Sequence, residues 1–469
     1  MSVSLDDYLD PKNCPGQRPS WNIFAPSTRK LHEDVDAAAK RRGIPYLHPE
    51  DPTLQLDMLG SRHMADWQEK KAEWVFAGER CWSDLHQFYA RYGVETARPL
   101  IQELRKLENA SGCILTDCGM QSIALTLDVL AAPGGHAVLM RGVYNKTRRY
   151  LEWIGNRLKF EVTIVDDGDE DGAIEALRPE TFVLLAETYT NPLMHAFNPE
   201  SLGQRVKAAR ESTCRRLRFV VDNTIATPWG VRQPLLDYDG VDIIAASGTK
   251  ALAGQDRDLW GYVASNSIDF LNEVMDLQAM RGGALDWRRA RAILQGLGTA
   301  RTNFETRCDH ASRLASFLAA HPKVESVYHP SLESHSDRET IEKHYALPGS
   351  LLAFKVAGAD EDRSRRFADV LATCRVLRYA GSFDGLVTKL NHHRTVSEYF
   401  TPEEELEKAA IDRVIRIGVG LEDTDDVIAC INWALWHWEA VTPEEILEWQ
   451  KGRERDLSIA EDRQSGGAE

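Results

Sequence analysis

A lysine, an aspartate and a glycine-led helix start are the residues of this chain whose types and spacing could do chemistry. Lys250 closes Ser247-Gly248-Thr249-Lys250, at the end of the apolar run DIIAAS (242–247). An amine at a strand end inside an apolar sheet is costly to keep charged, and burial lowers its pKa into the range of a Schiff-base lysine. A surface-loop lysine would leave the same local sequence. A Walker A loop does not fit, because the glycine-rich lead of GxxxxGK is absent. Asp222 closes RFVVD (218–222). A carboxylate there can hold a protonated pyridine nitrogen and keep its ring electron-poor; it can equally form an Asx turn or cap before Thr224. Thr116-Asp117-Cys118-Gly119-Met120 leads into the run SIALTLDVL. N–H groups at a helix start bind phosphate, and a glycine lets the backbone approach closely; an ordinary turn and cap is the competing reading.

Those groups need a sheet to position them. The short apolar runs HAVLM (136–140), EVTIVD (161–166), TFVLLAE (181–187), RFVVDN (218–223) and DIIAAS (242–247) alternate with helical stretches. Runs of this length predict parallel strands covered on both faces. Glu187, Asp222 and Ser247 mark polar ends of three of them. Ligands gather at the carboxyl ends of strands in open α/β sheets, so the site is expected there. PLIQELRKLENA (99–110) reads as an amphipathic helix. GMQSIALTLDVLAA (119–132) reads as a more buried helix, closed by Pro133-Gly134-Gly135.

Four segments follow. Residues 1–93 read as an arm for oligomer contacts, with helices over Thr28–Arg42 and Met64–Ala77. Residues 94–300 form the large α/β unit. Residues 301–440 form a smaller α+β unit, opening with a helix through ASRLASFLAAHPK (311–323), followed by strands VESVYHP and SLLAFKVAG. VIRIGVGLEDTDDVIACINWALWHWEA (414–440) gives a strand, an acidic cap and a helix rich in Trp. Residues 441–469 read as a charged tail, expected to fray from about Lys451.

Of 469 residues, 43% are hydrophobic and 27% charged, a globular balance with a large core. The net charge of −16 argues against a nucleic-acid binder. No apolar run is long enough to span a bilayer, and MSVSLDDYLD lacks the apolar stretch of a secretory signal. Eight scattered cysteines without CxxC spacing suit a reducing compartment. The expectation is a cytoplasmic protein with no membrane or nucleic-acid partner. His392-His393 has no third ligand placed with it and reads as a loop pair, so no metal is expected. Cys118 reads as a structural thiol, and Trp433, Trp436 and Trp438 as packing and interface residues.

The motifs, taken in order, resemble the Cys/Met-metabolism family of pyridoxal-phosphate (PLP) enzymes. These are the cystathionine γ-synthase- and γ-lyase-like branch of the aspartate-aminotransferase fold (fold type I). The resemblance rests on Tyr89-Ala90-Arg91, Cys118-Gly119-Met120, Tyr144-Asn145-Lys146-Thr147, the run Glu187 to Pro192, the run Val221 to Pro228, Ser247 to Lys250, and the run Arg416 to Asp423. It covers roughly residues 88–440 and implies an α/β fold, with a mostly parallel sheet in the large domain and a smaller α+β C-terminal domain. It further implies that Lys250 carries PLP and shuttles protons, and that Asp222 pairs with the pyridine nitrogen. Gly119, Met120, Ser247 and Thr249 would hold the phosphate. Tyr144 would stack on the ring and act as acid or base, and Asn191 would contact the ring hydroxyl. Arg416 would bind the substrate α-carboxylate, a bidentate task that suits guanidinium. Tyr89 and Arg91 would reach the phosphate of a neighbouring subunit, in a homotetramer built as a dimer of dimers.

The chain departs from the family pattern in four places. The arm before Tyr89 is long. Val94-Glu95-Thr96 stands for Asn-Pro-Thr, and Asn145-Lys146 for a small pair. Tyr379-Ala380-Gly381-Ser382-Phe383-Asp384-Gly385-Leu386 stands for Ser-Leu-Gly-Gly-x-Glu-Ser-Leu. Lys146 and Arg378 would add positive charge beside the substrate's Cγ, and Tyr379 would reshape the pocket. The expected activity is γ-elimination or γ-replacement on a γ-substituted L-amino acid. A specialised member would use an anionic leaving group, such as acyl- or phosphohomoserine or a γ-halide, on the way to an olefinic or alkynyl amino acid. Two solvated basic side chains are the plainer reading of Lys146 and Arg378. The alternatives are PLP-dependent β-elimination, like the cystathionine β-lyases, and a catalytically silent scaffold of the same fold.

Overall fold

The computed structural model describes residues 12, 18, 20–42, 59–77, 81, 83, 89–253 and 258–465. Seven strands build the large sheet: β1 (Gly112–Thr116), β2 (His136–Met140), β3 (Glu161–Val165), β4 (Thr181–Glu187), β5 (Arg218–Asp222), β6 (Val241–Ala246) and β7 (Gly261–Ser265). Their order is β1-β7-β6-β5-β4-β2-β3. β2 to β6 pair in parallel, and β7 runs antiparallel to both β6 and β1. The five apolar runs read as strands are all strands; every residue of β2 and of β4 is buried, while β3, at the sheet edge, is only partly covered. β1 and β7 were not among the expected strands.

Five strands form the second sheet: β8 (Val324–Tyr328), β9 (Leu351–Val356), β10 (Arg378–Tyr379), β11 (Lys389–His392) and β12 (Ile415–Gly418), in the order β10-β11-β12-β9-β8. The helix Trp287–Ala320 runs unbroken for 34 residues, about 50 Å, and joins the two sheets. Asp286 starts it by accepting hydrogen bonds from the N–H groups of Arg288 and Arg289. Ala290 and Ile293 pack in the large core, while Ala311, Leu314, Ala315 and Leu318 pack in the small one. Phe304 and Cys308 lie between, against Ala251, the residue after Lys250. The helix therefore fixes the Lys250 turn relative to the small sheet, and residue 300 lies inside it.

Helices Pro26–Arg42 and Ser61–Ala77 occupy the two stretches expected in the arm. Lys71 meets Asp276 at 3.7 Å. Where fraying was expected, a helix runs from Pro443 to Ser465. Asp423 caps the helix Thr424–His437 through the N–H of Asp425. Trp438 is buried against Phe367 with ring centroids 6.2 Å apart, whereas Trp433 and Trp436 are exposed. The His392-His393 pair is not a surface loop: both rings are buried where β11 passes into a short helix. Among the described residues no helix is long and apolar enough to cross a membrane.

One buried acid stands out near the carboxyl ends of β5 and β6. Glu108, fully buried, accepts hydrogen bonds from Tyr262 Oη at 2.5 Å and Asn223 Nδ2 at 3.4 Å. Burial pushes its carboxyl up to about 7, against the lowering effect of those two bonds. A carboxyl raised on folding favours the native state while protonated. That stabilisation is fully present below the ordinary carboxylate range, shrinks as pH rises, and is gone above about pH 7. We therefore expect Glu108→Gln to stabilise the fold by up to roughly 3 kcal/mol at pH 8 and by very little near pH 5. Thermal or urea unfolding at both pH values checks this; an equal effect at each would contradict the burial of an ionisable Glu108.

Candidate active site

The carboxyl ends of β4, β5 and β6 and the start of the helix Gly119–Leu130 converge on one cavity of about 340 Å³. Gly119, Met120, Tyr144, Lys146, Asn191, Asp222, Ser247, Thr249, Lys250 and Arg416 all line it. These ten residues come from six segments spread over nearly three hundred positions, and the strand ends bring them together.

Asp222 forms the floor. It is buried, and its Oδ1 accepts from Thr224 N–H at 3.0 Å and from Thr224 Oγ1 at 2.5 Å. The Asx-turn reading and the functional reading thus describe one arrangement. Thr224 Oγ1 also accepts from Ser247 N–H at 2.9 Å, which ties the end of β5 to the turn after β6. Burial raises the Asp222 carboxyl to about 6. Glu187 pairs with it in register across β4 and β5. Burial, and then the Asp222 charge, push Glu187 well above the usual carboxylate range. Glu187 Oε1 accepts from Tyr144 N–H at 2.6 Å and so places Tyr144 at the start of the helix Asn145–Leu158. Glu187 was read from sequence only as a polar strand end; its place beside Asp222 follows from the parallel register.

The turn after β6 is tightly packed. A side chain at Gly119 would collide with Ser247, and one at Gly248 would collide with the buried Trp260 ring. Cys118 precedes the helix without a side-chain cap, which leaves its start to the cavity. Thr249 Oγ1 donates to Trp260 O at 3.0 Å and accepts from Trp260 N–H at 2.9 Å, so its hydroxyl holds the turn.

Lys250 is half-buried rather than enclosed. Its Nζ donates to Ser382 Oγ and lies 4.6 Å from the centroid of the Phe383 ring. The same ring lies 5.3 Å from Arg416 Cζ. Arg416 is buried in β12 and donates to Asn191 Oδ1 at 3.2 Å and Gly381 O at 3.3 Å. No carboxylate among the described residues forms an ion pair with it, and burial lowers its guanidinium to about 10. A desolvated cation of this kind calls for an anionic ligand. Asn191 therefore orients Arg416 through the oxygen expected to face a ring hydroxyl.

Two residues expected beside the substrate lie elsewhere. Arg378 and Tyr379 make up β10, are exposed, and do not line the cavity. The Tyr379 hydroxyl instead accepts from His392 N–H at 3.4 Å. Tyr89 and Arg91, expected at the phosphate of a neighbouring subunit, do not line their own cavity. Arg91 donates to Ala279 O at 2.8 Å and sits 5.3 Å from the Tyr89 ring centroid. Ser382 and Phe383 were missed as contacts of Lys250. Their only sequence signal was the departure from the family pattern at that loop.

The donor set fits a flat, phosphorylated pyridine. It offers a buried carboxylate for a ring nitrogen, an uncapped helix start with no room for side chains, an amine in reach and an aromatic face at Tyr144. Residues 70–436 match the profile of the family described as Cys/Met metabolism PLP-dependent enzyme. The chain is 30% identical over 365 residues to an L-methionine gamma-lyase of Porphyromonas gingivalis, covering 77% of this chain and 87% of that one. It is 30% identical over 349 residues to the chloroplastic cystathionine gamma-synthase 1 of Arabidopsis thaliana, covering 74% of this chain and 60% of that protein. The crystal structure of metB from Corynebacterium glutamicum superposes with a TM-score of 0.68 at 26% identity, over 77% of this chain and 91% of that one.

The raised Asp222 carboxyl sets a pH dependence. Its ionised form, the one that can pair with a pyridinium, is lost as pH falls through about 6. With 4′-deoxypyridoxine phosphate, a probe that cannot react with an amine, Asp222→Asn should bind about 10- to 100-fold more weakly than the parent above pH 7. The gap should narrow below pH 6. A gap that stays constant from pH 5 to 8, read by fluorescence titration, would show that Asp222 does not meet the ring nitrogen.

Proposed function

This chain belongs to the Cys/Met-metabolism family of PLP-dependent enzymes, and from that premise we propose that it eliminates or replaces a substituent on Cγ of an L-amino acid. The observation that carries the reading is Arg416, a buried guanidinium without a carboxylate partner among the described residues, in one cavity with Lys250 and Asp222. It is the complement of a substrate α-carboxylate. When bound, PLP supplies an electron-poor ring that accepts the electron pair left on Cα as its proton departs.

The chain's own residues do the rest. Asp222 holds the proton of the pyridine nitrogen. The start of the helix Gly119–Leu130, with Met120 and Ser247, takes the phosphate. Arg416, steadied by Asn191 and Gly381 O, fixes the α-carboxylate and so the direction of the Cα–H bond. Lys250 Nζ takes the Cα proton and, in γ-chemistry, moves a second one at Cβ. Tyr144, whose hydroxyl burial pushes up, stays protonated at neutral pH and can donate to a leaving group. Tyr89 and Arg91, outside their own cavity, would complete the phosphate site of a neighbouring subunit, within a dimer of dimers.

Lys146 supports an anionic γ-substituent. It lines the cavity at the start of the helix Asn145–Leu158, where no side chain caps the helix. Its Nζ lies 5.2 Å and 4.9 Å from the ring centroids of Tyr399 and Phe400. Beside it, the Thr147 hydroxyl is buried without a hydrogen-bond partner among the described residues. This favours acyl- or phosphohomoserine, or a γ-halide, over a neutral thioether. Without Arg378 in the cavity, the preference rests on Lys146 and the helix start.

Two outcomes test the reading. Arg416→Lys should lower kcat/KM about 10- to 100-fold for every substrate, because one bidentate, charge-assisted contact is lost. Lys146→Ala should lower kcat/KM about tenfold for phospho- and succinylhomoserine and leave L-methionine unchanged. Products identified by mass spectrometry decide the chemistry: a four-carbon 2-oxo acid or a γ-exchanged amino acid fits, whereas pyruvate alone from cysteine conjugates would assign β-elimination instead. Equal losses for all substrates with Lys146→Ala would remove the anionic preference.

A further inference from the structure

The first turn of the helix Asn145–Leu158 meets one short stretch of the small unit, residues 397–400. Asn145 Nδ2 donates to Ser397 O. Arg148 Nη2 donates to both carboxylate oxygens of Glu398 at 3.0 Å, and little of either side chain reaches solvent. Thr401 Oγ1 donates to Glu398 Oε2 at 2.5 Å. These contacts fix the backbone on both sides of Tyr399 and Phe400, which follow the short helix His393–Ser397. The two rings stand edge to face, with centroids 5.1 Å apart and planes at 87°. Lys146 reaches both of them. Its Nζ lies 5.2 Å from the Tyr399 centroid and 4.9 Å from that of Phe400, and donates to Tyr399 Oη at 3.4 Å. Arg149 Cζ, 4.3 Å from the Phe400 centroid, braces the same ring. Val396 and Ser397, just before the rings in sequence, line the active-site cavity together with Lys146.

We propose that Tyr399 and Phe400 are positioning residues that set the selectivity of the cavity: together they hold the Lys146 ammonium at its wall, where it meets an anionic γ-substituent and gains nothing from a neutral one. A lysine side chain is long and flexible, and a charge that wanders adds little to the affinity for a fixed anion. A ring face attracts an ammonium that lies within about 6 Å of its centroid, and here two rings do so at once. Of the three N–H bonds of the ammonium, two can point at the rings while one stays free for the cavity. Neither ring lines the cavity, so both act through Lys146. This inference rests on the proposed preference for an anionic γ-substituent.

The test compares the binding of two unreactive amino acids to the PLP-loaded full-length chain. L-2-amino-5-phosphonopentanoate is an isostere of phosphohomoserine, and L-norleucine is an isostere of methionine. Neither carries a leaving group on Cγ, so binding is read without turnover, by cofactor absorbance at about pH 8. The ratio of the two dissociation constants gives the preference for the anion. Tyr399→Leu combined with Phe400→Leu should lower that preference about three- to tenfold. Tyr399→Phe, which keeps the ring, should retain most of it. On a Lys146→Ala background the same pair of substitutions should leave the preference unchanged, because the rings act through that lysine. Tyr399 is 65% exposed, so Tyr399→Leu alone supplies the reading if the double variant fails to fold. Rings that only pack the loop would change both affinities alike and leave the ratio in place, which overturns the proposal. A ratio that rises, or a fall that persists without Lys146, overturns it too, while the anionic preference stands. A ratio that Lys146→Ala leaves at the parent value overturns the anionic preference and the proposal with it.

Discussion

Arg416 is a buried guanidinium with no carboxylate partner among the described residues, and the arrangement of the site follows from it. Breaking or withholding a partner from a buried charge costs several kcal/mol, and a fold accepts that cost only where a ligand supplies the missing anion. Arg416 is placed there by β12, at the centre of the small sheet, opposite Asn391 and Ala353 in register. Its two hydrogen bonds to Asn191 and Gly381 come from different units of the fold. The guanidinium thus aims at the cavity only when both units are in place.

The long helix Trp287–Ala320 supplies that placement. It contributes to both cores, packs beside Ala251 and offers Arg307 to the loop that faces Lys250. A single rigid element therefore carries the amine's turn on one side and its hydroxyl partner on the other. A site assembled from two units needs this rigidity, because a group misplaced by an ångström loses much of its effect.

The sheet's core was legible from sequence, since HAVLM, TFVLLAE and RFVVD are short apolar runs with no competing helical period. Lys250 and Asp222 were legible because strand ends collect function in such sheets, whereas Arg416, inside β12 of the small sheet, was legible only through the family resemblance. β1 and β7 were not read, although GCILT and GYVAS are short buried runs that end in Thr116 and Ser265. The pairing of Glu187 with Asp222 needed the register. The contacts of Ser382 and Phe383 needed the loop's conformation, which Arg307 sets from some 75 positions away in sequence. Arg378 and Tyr379 were drawn to the site by alignment of that same loop, and the two-residue strand they form points them elsewhere.

The proposed cofactor-bearing amine is Lys250. Incubating the purified chain with PLP, fixing the product with borohydride and mapping the peptides puts this to the test. A single modified lysine is expected, at position 250, with the label absent in Lys250→Ala. A label on any other lysine, or none after full incubation at pH 8, would contradict it.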